Sequence, residues 1–356
     1  MATEKDILKA LSTIIDPDFK KDIVSLGFVK GITIDCGRVS FTIELTTPAC
    51  PVKEEFRRLA EEAVSFIEGV SAVSVNITSR VTAAKGTKQV PGVANIIAVT
   101  SGKGGVGKST TAVNLAVALA QTGARVGLLD ADIYGPSIPR MMNLTGEQPK
   151  FEEKAIYPLE NYGVRTMSIG YMVAEDQAMI WRGPMVSGAV MQLLNEVIWG
   201  ELDYLVVDMP PGTGDIHLTL AQQVPITASI VVTTPQDIAL LDARKGIAMF
   251  NKVNVPTLGI VENMSVFICP HCGEASHVFA EGGADKLAAE QHVDVLGHIP
   301  LDIQIRFDSD NGTPIVAAHP DSQQASAYRD LAGEVARRIS IVNRRKIDIP
   351  VMIQNG

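Results

Sequence analysis

The sequence is poor in cysteine, with only four among 356 residues: Cys36, Cys50, Cys269 and Cys272. Four cysteines cannot cross-link a chain of this size, so a disulfide-rich secreted protein is excluded and a reducing compartment is expected. No stretch approaches the ~20 apolar residues of a membrane-spanning helix, and the charged residues 1–9 do not resemble a signal peptide. We therefore expect a soluble, cytoplasmic protein.

The sequence also lacks internal repeats and an excess of basic charge. The formal net charge is -9, and the acidic excess lies after residue 94. This charge disfavours a protein that binds nucleic acid electrostatically. Apolar residues are abundant, at 46%. Because 356 residues exceed what one hydrophobic core usually organises, we expect two domains.

Residues 1–80 predict a small α+β domain. Helical spacing of apolar residues predicts a first helix over 4–15, formed around Ile7, Leu8, Leu11, Ile14 and Ile15. Alternating stretches near 28–34 and 38–45 predict a hairpin, and they are followed by a helix from Pro51 and a strand over 72–77. Residues 81–94, which contain a Pro-Gly turn, predict a linker.

Beyond the linker, short apolar runs alternate with helical patterns. The runs cover residues 96–99, 126–129, 204–207, 229–232, 257–261 and 295–299. Strands that are apolar on both faces are typical of a parallel sheet covered by helices. We therefore predict an α/β domain with a mostly parallel sheet flanked by helices over 95–345, and a C-terminal tail over 346–356.

A glycine-rich segment follows the first of these strands. Residues 102–109 read Gly-Lys-Gly-Gly-Val-Gly-Lys-Ser and fit the phosphate-loop pattern G-x-x-x-x-G-K-[ST] before a predicted helix over 111–120. In such loops the backbone N–H groups surround phosphates, the lysine reaches the outer phosphates and the hydroxyl binds Mg²⁺. The predicted nucleotide-binding residues are Gly102, Lys103, Gly104, Gly105, Val106, Gly107, Lys108, Ser109 and Thr110.

Aspartates follow two other predicted strands. Asp130 and Asp132 follow one strand, and Asp208 follows another. A lone aspartate at a strand end is usually a turn or capping residue. Beside a phosphate loop, however, Mg²⁺ needs carboxylates and the attacking water needs an acceptor. The glycine-bearing loop over 208–215 is expected to respond to the γ-phosphate.

Lys103 and the two aspartate motifs resemble the deviant Walker A ATPases of the MinD/ParA and nitrogenase iron-protein class. The resemblance implies an ATP-sandwich homodimer in which Lys103 contacts the nucleotide of the partner subunit. It also implies that Asp132 orients water and that Asp208 holds magnesium through its shell, so the implied catalytic residues are Lys103, Lys108, Asp132 and Asp208. The residues alone also permit a solvated Lys103.

The nucleotide base is expected to be adenine. Residues 251–254, Asn-Lys-Val-Asn, partly match the guanine-reading motif, but they lack the carboxylate that accepts hydrogen bonds from guanine. ATP is therefore the expected nucleotide. The resemblance to related ATPases places Asn263 and the loop from Pro300 at positions that hold adenine.

Cys269 and Cys272 have a metal-chelating C-x-x-C spacing, which supplies two of the four ligands of a tetrahedral or iron–sulfur site. His271 or His277 can complete a zinc site in one subunit, whereas a symmetric dimer can share one cluster between two cysteine pairs. A redox dithiol and two unliganded cysteines are the remaining alternatives.

The cysteine pair and the phosphate loop together resemble the Mrp/ApbC family of iron–sulfur cluster carriers over residues 95–340. The resemblance implies a homodimer that binds a [4Fe-4S] cluster on Cys269 and Cys272, receives it from donor proteins and transfers it to apo-proteins with slow ATP hydrolysis. The alternatives are a zinc metallochaperone or regulatory ATPase and a MinD/ParA-like positioning ATPase. The acidic charge disfavours DNA, and Pro350 interrupts any amphipathic membrane helix in the tail, so neither partner is expected.

The N-terminal domain resembles the small domain of iron–sulfur assembly factors through Asp16-Pro-Asp and the segments 22–27 and 46–51. Cys50 precedes the helix from Pro51, where the helix dipole is expected to stabilise a thiolate that binds metal transiently. A packed or capping cysteine is the alternative. Cys36, in the predicted hairpin turn, is expected to be structural.

Other residues near the predicted switch loops have ordinary explanations. We expect Trp181 to anchor a surface loop and His217 to be a solvated loop residue. The methionines of segments 141–142 and 185–191 are expected to pack in the core or in the dimer surface.

Overall fold

The computed structural model describes residues 2–83, 90–152, 155–173 and 183–348. The chain divides into two compact units, one formed by residues 1–82 with 336–356 and the other by residues 83–335. The predicted linker and tail fall partly outside the described residues, and Trp181 lies wholly outside them. No helix within the described ranges combines the length and apolar character that a membrane crossing requires.

The small unit packs two helices against a three-stranded sheet. Its elements are α1 (Glu4–Leu11), β1 (Ile15–Asp16), β2 (Lys21–Asp22), β3 (Val29–Asp35), β4 (Arg38–Leu45), α2 (Lys53–Ser65) and β5 (Ala72–Ser79). β4 lies in the centre, antiparallel to β3 and parallel to β5. The first helix is shorter than predicted, because Ile15 and Asp16 pair with Lys21 and Asp22 instead of continuing it.

The large unit alternates strands and helices. Its elements are β6 (Ile96–Thr100), α3 (Lys108–Gln121), β7 (Val126–Asp130), α4 (Ile138–Met141), β8 (Lys150–Glu152), β9 (Ala155–Tyr157), β10 (Leu159–Asn161), β11 (Val164–Ser168), a 3-10 turn (Ile169–Tyr171), α5 (Gly183–Glu196), β12 (Tyr204–Asp208), α6 (Asp215–Gln223), β13 (Ala228–Thr233), α7 (Asp237–Lys252), β14 (Thr257–Ile268), β15 (Ala275–Ser276), α8 (Gly283–Gln291), β16 (Asp294–Leu301), α9 (Ile303–Asp310), α10 (Ile315–Ala318) and α11 (Gln323–Asp348).

The predicted mostly parallel sheet is confirmed. Its order is β10-β11-β7-β12-β6-β13-β14, with β15 and β16 both paired to β14. The neighbours from β11 to β14, and β16 on β14, run parallel, whereas the short β10 and β15 are antiparallel. Every residue of β6, β7, β12 and β13 is buried, which explains why these strands read as continuous apolar runs.

This sheet brings the ends of three strands together. Asp208 at the end of β12 is the register partner of Asp130 on β7 and of Val99 on β6. The phosphate-loop segment leaves β6 at the same edge. Parallel pairing therefore collects the glycine-rich segment and both aspartate motifs at the carboxyl edge of the sheet, where open α/β sheets bind ligands.

β14 is much longer than the predicted run over 257–261. It continues to Ile268 through a register shift against β16 between Asn263 and Phe267, with Met264 in the left-handed region at φ 57°. The irregularity lets one strand continue past the sheet edge, as β-bulges do. The cysteine turn therefore begins directly at the end of a central strand.

The last turns of α11 pack within the small unit. The guanidinium of Arg337 pairs with Asp18, and that of Arg344 lies 4.9 Å from the ring centroid of Phe19. Ser340 and Asn343 on the same helix donate to backbone carbonyls of the small unit. The sequence pattern places residues 336–345 in the large domain, whereas the structure groups them with the small unit. Contacts between residues so far apart in the chain leave no local pattern in the sequence.

Candidate functional site

The phosphate-loop segment joins β6 to α3 through backbone conformations that favour glycine. Gly105 and Gly107 have φ of 79° and 84°, in the left-handed region. A Cβ at Gly107 would lie 2.0 Å from Nδ2 of Asn263, and one at Gly102 would lie 2.3 Å from the backbone of Asp242. A Cβ at Gly104 or Gly105 would meet nothing within 4 Å. The loop is therefore packed at its two ends and open in its middle, as a phosphate cradle requires.

The structure brings four of the predicted site residues together. Nζ of Lys108 lies 2.6 Å from Oδ1 of Asp208 and 3.6 Å from Oδ2 of Asp132. The hydroxyl of Ser109 donates to Oδ2 of Asp208 at 2.5 Å. The first turn of α3 therefore faces both aspartate motifs directly.

The charges of this cluster depend on one another. Burial by itself would lower the pKa of Lys108, but the carboxylates of Asp208 and Asp132 outweigh it and raise that pKa. Burial raises the pKa of Asp132; the charge of Lys108 opposes this shift and that of Asp208 adds to it. The site thus holds a protonated lysine beside a carboxyl group whose proton affinity is increased, as expected of a group that accepts a proton.

Asp130 differs from Asp132 in that its carboxylate is occupied by the protein itself. It is fully buried and accepts hydrogen bonds from the backbone N–H groups of Asp132 and Ile138 and from the hydroxyl of Ser168, at 3.1, 3.3 and 3.0 Å. Burial, together with the charge of Asp208, raises the pKa of Asp130 to about 8. Asp130 therefore shapes the loop that carries Asp132. Ser168 has no sequence signal, because only strand pairing brings β11 beside β7.

The loop after Asp208 is bonded to the strand that leads into the phosphate loop. The N–H of Met209 donates to the carbonyl of Val99 at 3.0 Å, and the N–H of Gly212 donates to the carbonyl of Ser101 at 2.9 Å. The N–H of Ala131 donates to the carbonyl of Asp208 at 2.9 Å. Both aspartate motifs are thereby connected to the edge of β6 through backbone hydrogen bonds.

The expectation of a solvated His217 is wrong. His217 lies in the first turn of α6 and is 2% exposed, with Nε2 2.7 Å from the hydroxyl oxygen of Thr100. Burial lowers the pKa of His217 to about 4, and the charge of Lys108 contributes to this shift. The sequence obscured this position because α6 is only weakly amphipathic; its buried face, which also includes Leu220 and Ala221, is visible only once the helix is packed.

Lys103 and Thr110 lie at the margins of this cluster. Both are partly buried, and the ammonium of Lys103 forms no ion pair with another residue of the described ranges. The carbonyl of Lys103 accepts a hydrogen bond of 2.8 Å from the hydroxyl of Ser101. The backbone is thus held while the side chain is not, and the predicted role of Lys103 across a dimer stays a prediction.

Asn263 contacts the phosphate loop itself. Its side-chain amide donates to the carbonyl of Val106 at 2.9 Å, and Asn263 is 6% exposed. The predicted adenine contact stays a prediction. The observed bond gives Asn263 a second role, since it joins β14 to the loop between β6 and α3.

The cysteine pair occupies a tight turn between β14 and β15. The N–H of Cys269 donates to the carbonyl of Glu274 at 2.9 Å, and the N–H of Gly273 donates to the carbonyl of Cys269 at 2.8 Å. Cys269 is partly buried and Cys272 is exposed. Hydrogen bonds from the backbone N–H groups of His271 and Cys272, with a smaller contribution from the Cys272 thiol, lower the pKa of Cys269. The turn therefore favours a thiolate at Cys269, which is the form that binds metal.

Two histidines near this turn, His271 and His277, are the residues that the sequence offers as zinc ligands within one subunit. Nδ1 of His277 lies 3.2 Å from the carbonyl oxygen of Ser265, and its Nε2 lies 3.6 Å from Glu281. Within the described ranges, no group of three or more His, Cys, Asp or Glu side chains is arranged to hold a metal ion. Completion of a zinc site by His271 or His277 of the same subunit stays a prediction.

The expectation of a stabilised thiolate at Cys50 is wrong. Cys50 is half-buried against the core of the small unit, and burial raises its pKa although the N–H of Val52 partly opposes the shift. α2 begins only at Lys53, and the nearby charges of Asp16 and Asp18 also disfavour a thiolate. Its predicted role as an accessory metal-binding thiol stays untested. Cys36 is exposed in the turn between β3 and β4.

Two protein-family models match the chain. Residues 92–336 match the model described as NUBPL iron-transfer P-loop NTPase. Residues 4–77 match the model described as iron-sulfur cluster assembly protein. The two matches correspond to the α/β domain and the small α+β domain that the sequence patterns predict.

Curated relatives are similar over most of the chain. The iron-sulfur cluster carrier protein of Synechocystis is 46% identical over 349 residues, which cover 96% of this chain and 99% of that protein. The protein of the same name from Escherichia coli is 54% identical over 290 residues, which cover 80% of this chain and 79% of that protein.

Solved structures show the same fold. The nucleotide-binding protein of Archaeoglobus fulgidus, in complex with ADP, matches with a TM-score of 0.58 and 36% identity over 66% of this chain and 92% of that chain. The cell division ATPase MinD of Pyrococcus furiosus matches with a TM-score of 0.51 and 24% identity over 68% of this chain and 98% of that chain. At that identity, the MinD match shows the fold alone.

Proposed function

This chain belongs to the family of NUBPL iron-transfer P-loop NTPases, and on that premise we propose that it is an ATP-dependent carrier of iron–sulfur clusters. The observation that carries the proposal is the turn that holds Cys269 and Cys272. This turn directly follows β14, and β14 is hydrogen-bonded to the phosphate loop. The similarity to curated cluster carriers over 96% of the chain supports it.

The cluster is the cargo, held between two copies of the chain. One turn offers two thiols, and among the described residues no group of three or more His, Cys, Asp or Glu side chains is arranged to hold a metal ion. A [4Fe-4S] cluster takes four cysteine thiolates, so the Cys269 and Cys272 pairs of two subunits supply its full ligand set. A symmetric homodimer brings the same turn from each subunit to one axis. The lowered pKa of Cys269 favours the thiolate that this binding needs.

The phosphate loop binds MgATP. The open space above Gly104 and Gly105 suits phosphates, and Lys108 contributes a buried positive charge. The hydroxyl of Ser109 and the carboxylate of Asp208 are the hard oxygen ligands that Mg²⁺ or its water shell accepts. Bound Mg²⁺ would neutralise phosphate charge during hydrolysis.

Hydrolysis uses Asp132 and Lys103 in separate roles. Asp132 accepts a hydrogen bond from the attacking water, and its raised pKa supports this role. Lys103 reaches the nucleotide of the partner subunit, and the absence of an ion pair to its ammonium among the described residues is compatible with this role. ATP hydrolysis therefore depends on the dimer that also shares the cluster.

The recipients and donors of the cluster are other proteins. Transfer from an exposed turn to apo-proteins suits the position of Cys272, and the small unit, which matches an iron–sulfur assembly family, is a docking domain for these partners. Its half-buried Cys50 acts as an accessory thiol only when a partner uncovers it. The protein works in the cytoplasm, where its free thiols stay reduced.

Anaerobic reconstitution tests the carrier function. Wild-type protein treated with iron and sulfide is expected to bind about four of each per dimer, to show broad visible absorption and to elute as a dimer. Cys269→Ala and Cys272→Ala should lose the cluster, whereas Cys36→Ala, a matched exposed thiol, should keep it. A Cys269→Ala protein with a full cluster, or one tightly bound zinc per wild-type subunit, contradicts the proposal.

A further inference from the structure

The loop between β12 and α6, residues 209–214, is held at its first end by the backbone. Met209 and Gly212 donate to the carbonyls of Val99 and Ser101, which flank the last residue of β6, Thr100. Asp208, directly before the loop, receives hydrogen bonds from Lys108 and Ser109. This end of the loop is thus held against the end of β6 by main-chain contacts that side-chain substitution cannot remove, and Asp208 joins it to Lys108 and Ser109 through side chains.

The other end of the loop is held by a side chain. Nε2 of His217, in the first turn of α6, lies 2.7 Å from the hydroxyl oxygen of Thr100. The imidazole packs edge-on against Phe250 of α7, with ring centroids 6.2 Å apart. His217 and Thr100 are 2% and 1% exposed, so water cannot readily replace their hydrogen bond.

We propose that His217 is a positioning residue for ATP hydrolysis, because its hydrogen bond to Thr100 fixes α6, and with it the end of the loop after Asp208, against the strand that leads into the phosphate loop. His217 does not touch the reacting atoms; it acts through the loop. This role rests on the hydrolysis proposed above. When a ligand moves the phosphate loop, this bond determines how closely residues 209–214 follow that movement.

The chemistry of the pair suits a permanent link. The lowered pKa of His217, about 4, keeps the imidazole neutral, so one ring nitrogen carries a proton and the other a lone pair. Among the described residues only Nε2 has a hydrogen-bond partner, and Nδ1 is buried without one. The hydroxyl of Thr100 can donate or accept, and it therefore bonds to Nε2 in either tautomer. The hydrogen bond does not depend on the protonation of His217 near neutral pH. This distinguishes the proposed role from that of a general base, which must take up a proton.

Paired substitutions test the role. Thr100→Val and His217→Leu remove the hydrogen bond while keeping most of the volume. Thr100→Ser keeps the hydroxyl, and His217→Gln places an amide nitrogen near the position of Nε2. Thr227→Val is the matched control: the hydroxyl oxygen of Thr227 accepts from the N–H of Ile96 at 3.0 Å, equally buried but at the opposite end of β6.

We expect kcat for ATP hydrolysis to fall about tenfold in Thr100→Val and in His217→Leu, with KM for ATP within about twofold of wild type. The double variant should fall no further than either single variant, because both remove the same bond. Thr100→Ser and His217→Gln should recover most of kcat. Thr227→Val should lower the thermal midpoint by a similar amount to Thr100→Val but retain kcat.

Three results overturn the role: an unchanged kcat in Thr100→Val and His217→Leu, an equal loss of kcat in Thr227→Val, or no recovery in the two conservative variants. Each would mean that the pair only fills the core. If wild-type protein hydrolyses no ATP, the proposed hydrolysis itself fails, and the role of His217 fails with it. Wild-type turnover combined with insensitive variants rejects only the role of His217.

Discussion

The side-chain amide of Asn263 donates a 2.9 Å hydrogen bond to the carbonyl of Val106, so the strand that ends at the cysteine turn is bonded to the phosphate loop. β14 is continuous from Thr257 to Ile268, and Cys269 follows it directly. A displacement of the phosphate loop therefore has a short, hydrogen-bonded route to the thiol pair. This relationship makes Asn263 the first residue to test.

Asn263→Ala is expected to weaken nucleotide affinity about fivefold, because it leaves the buried carbonyl of Val106 without its partner and loosens the loop. Isothermal titration with ADP measures the change. Asn251→Ala, at an exposed position of α7, is the control and should match wild type. Equal affinities for ADP in Asn263→Ala and Asn251→Ala would contradict a supporting role for this bond.

Gly107→Ala should destabilise the protein, whereas Gly104→Ala should not. Gly107 has φ 84°, which costs an L-residue about 1 kcal/mol or more, and its new Cβ would lie 2.0 Å from Nδ2 of Asn263. A Cβ at Gly104 meets nothing within 4 Å. Thermal unfolding of both variants without nucleotide makes the comparison, and equal midpoints would show that the loop relaxes around the methyl group.

Asp132→Asn is expected to reduce kcat for ATP hydrolysis about 100-fold while nucleotide binding is retained, because the amide cannot accept a proton. Burial raises the pKa of Asp132, so its charged form is disfavoured in the folded protein and the neutral amide should not lower stability. Single-turnover hydrolysis and thermal unfolding measure the two effects. Normal turnover in the variant would remove Asp132 from the mechanism.

Cys269 should be alkylated faster than Cys50 in metal-free, reduced protein. Hydrogen bonds from the N–H groups of His271 and Cys272 lower the pKa of Cys269, whereas burial raises that of Cys50. Because the thiolate is the reacting form, limited iodoacetamide treatment near neutral pH followed by peptide mass spectrometry should label Cys269 first. Faster labelling of Cys50 would restore the helix-dipole expectation from the sequence.

The pair His298 and Glu262 should make stability depend on pH. Nδ1 of His298 lies 3.1 Å from Oε1 of the buried Glu262, and this hydrogen bond raises the pKa of His298 above 6.5. A raised histidine pKa gives stability that is complete below 6.5 and is lost as pH rises through the folded value. The difference in unfolding free energy between wild type and His298→Ala should therefore be largest in mild acid and smaller in alkali, with wild type the more stable. A gap that widens with pH would contradict this sign.

Much of the site was accessible from the sequence because its signals are local. The glycine spacing before Lys108 and Ser109 is a backbone requirement of one loop, and the fully apolar runs are typical of strands buried on both faces. The strand ends at Asp130 and Asp208 could be predicted to meet because parallel strands share one carboxyl edge. The two family matches confirm the resemblance that these motifs indicated.

Other features depended on residues far apart in the chain. The 2.7 Å contact between His217 and Thr100 and the contact of Asn263 with Val106 exist only because sheet and helices pack around one another. Burial depends on the same packing. The position of Cys50 before a helix predicts a lowered pKa, but burial of the thiol raises it.

By itself, the sequence thus determined six strands of the parallel sheet, the phosphate loop and the cysteine pair, since each is encoded by neighbouring residues; it did not determine β11, which completes the sheet beside β7. Only the tertiary structure decided which polar groups become buried, which partners they find and how the cysteine turn connects to the phosphate loop. The physical reason is that solvation and side-chain hydrogen bonding depend on distances in space, and no local spacing in the chain encodes those distances.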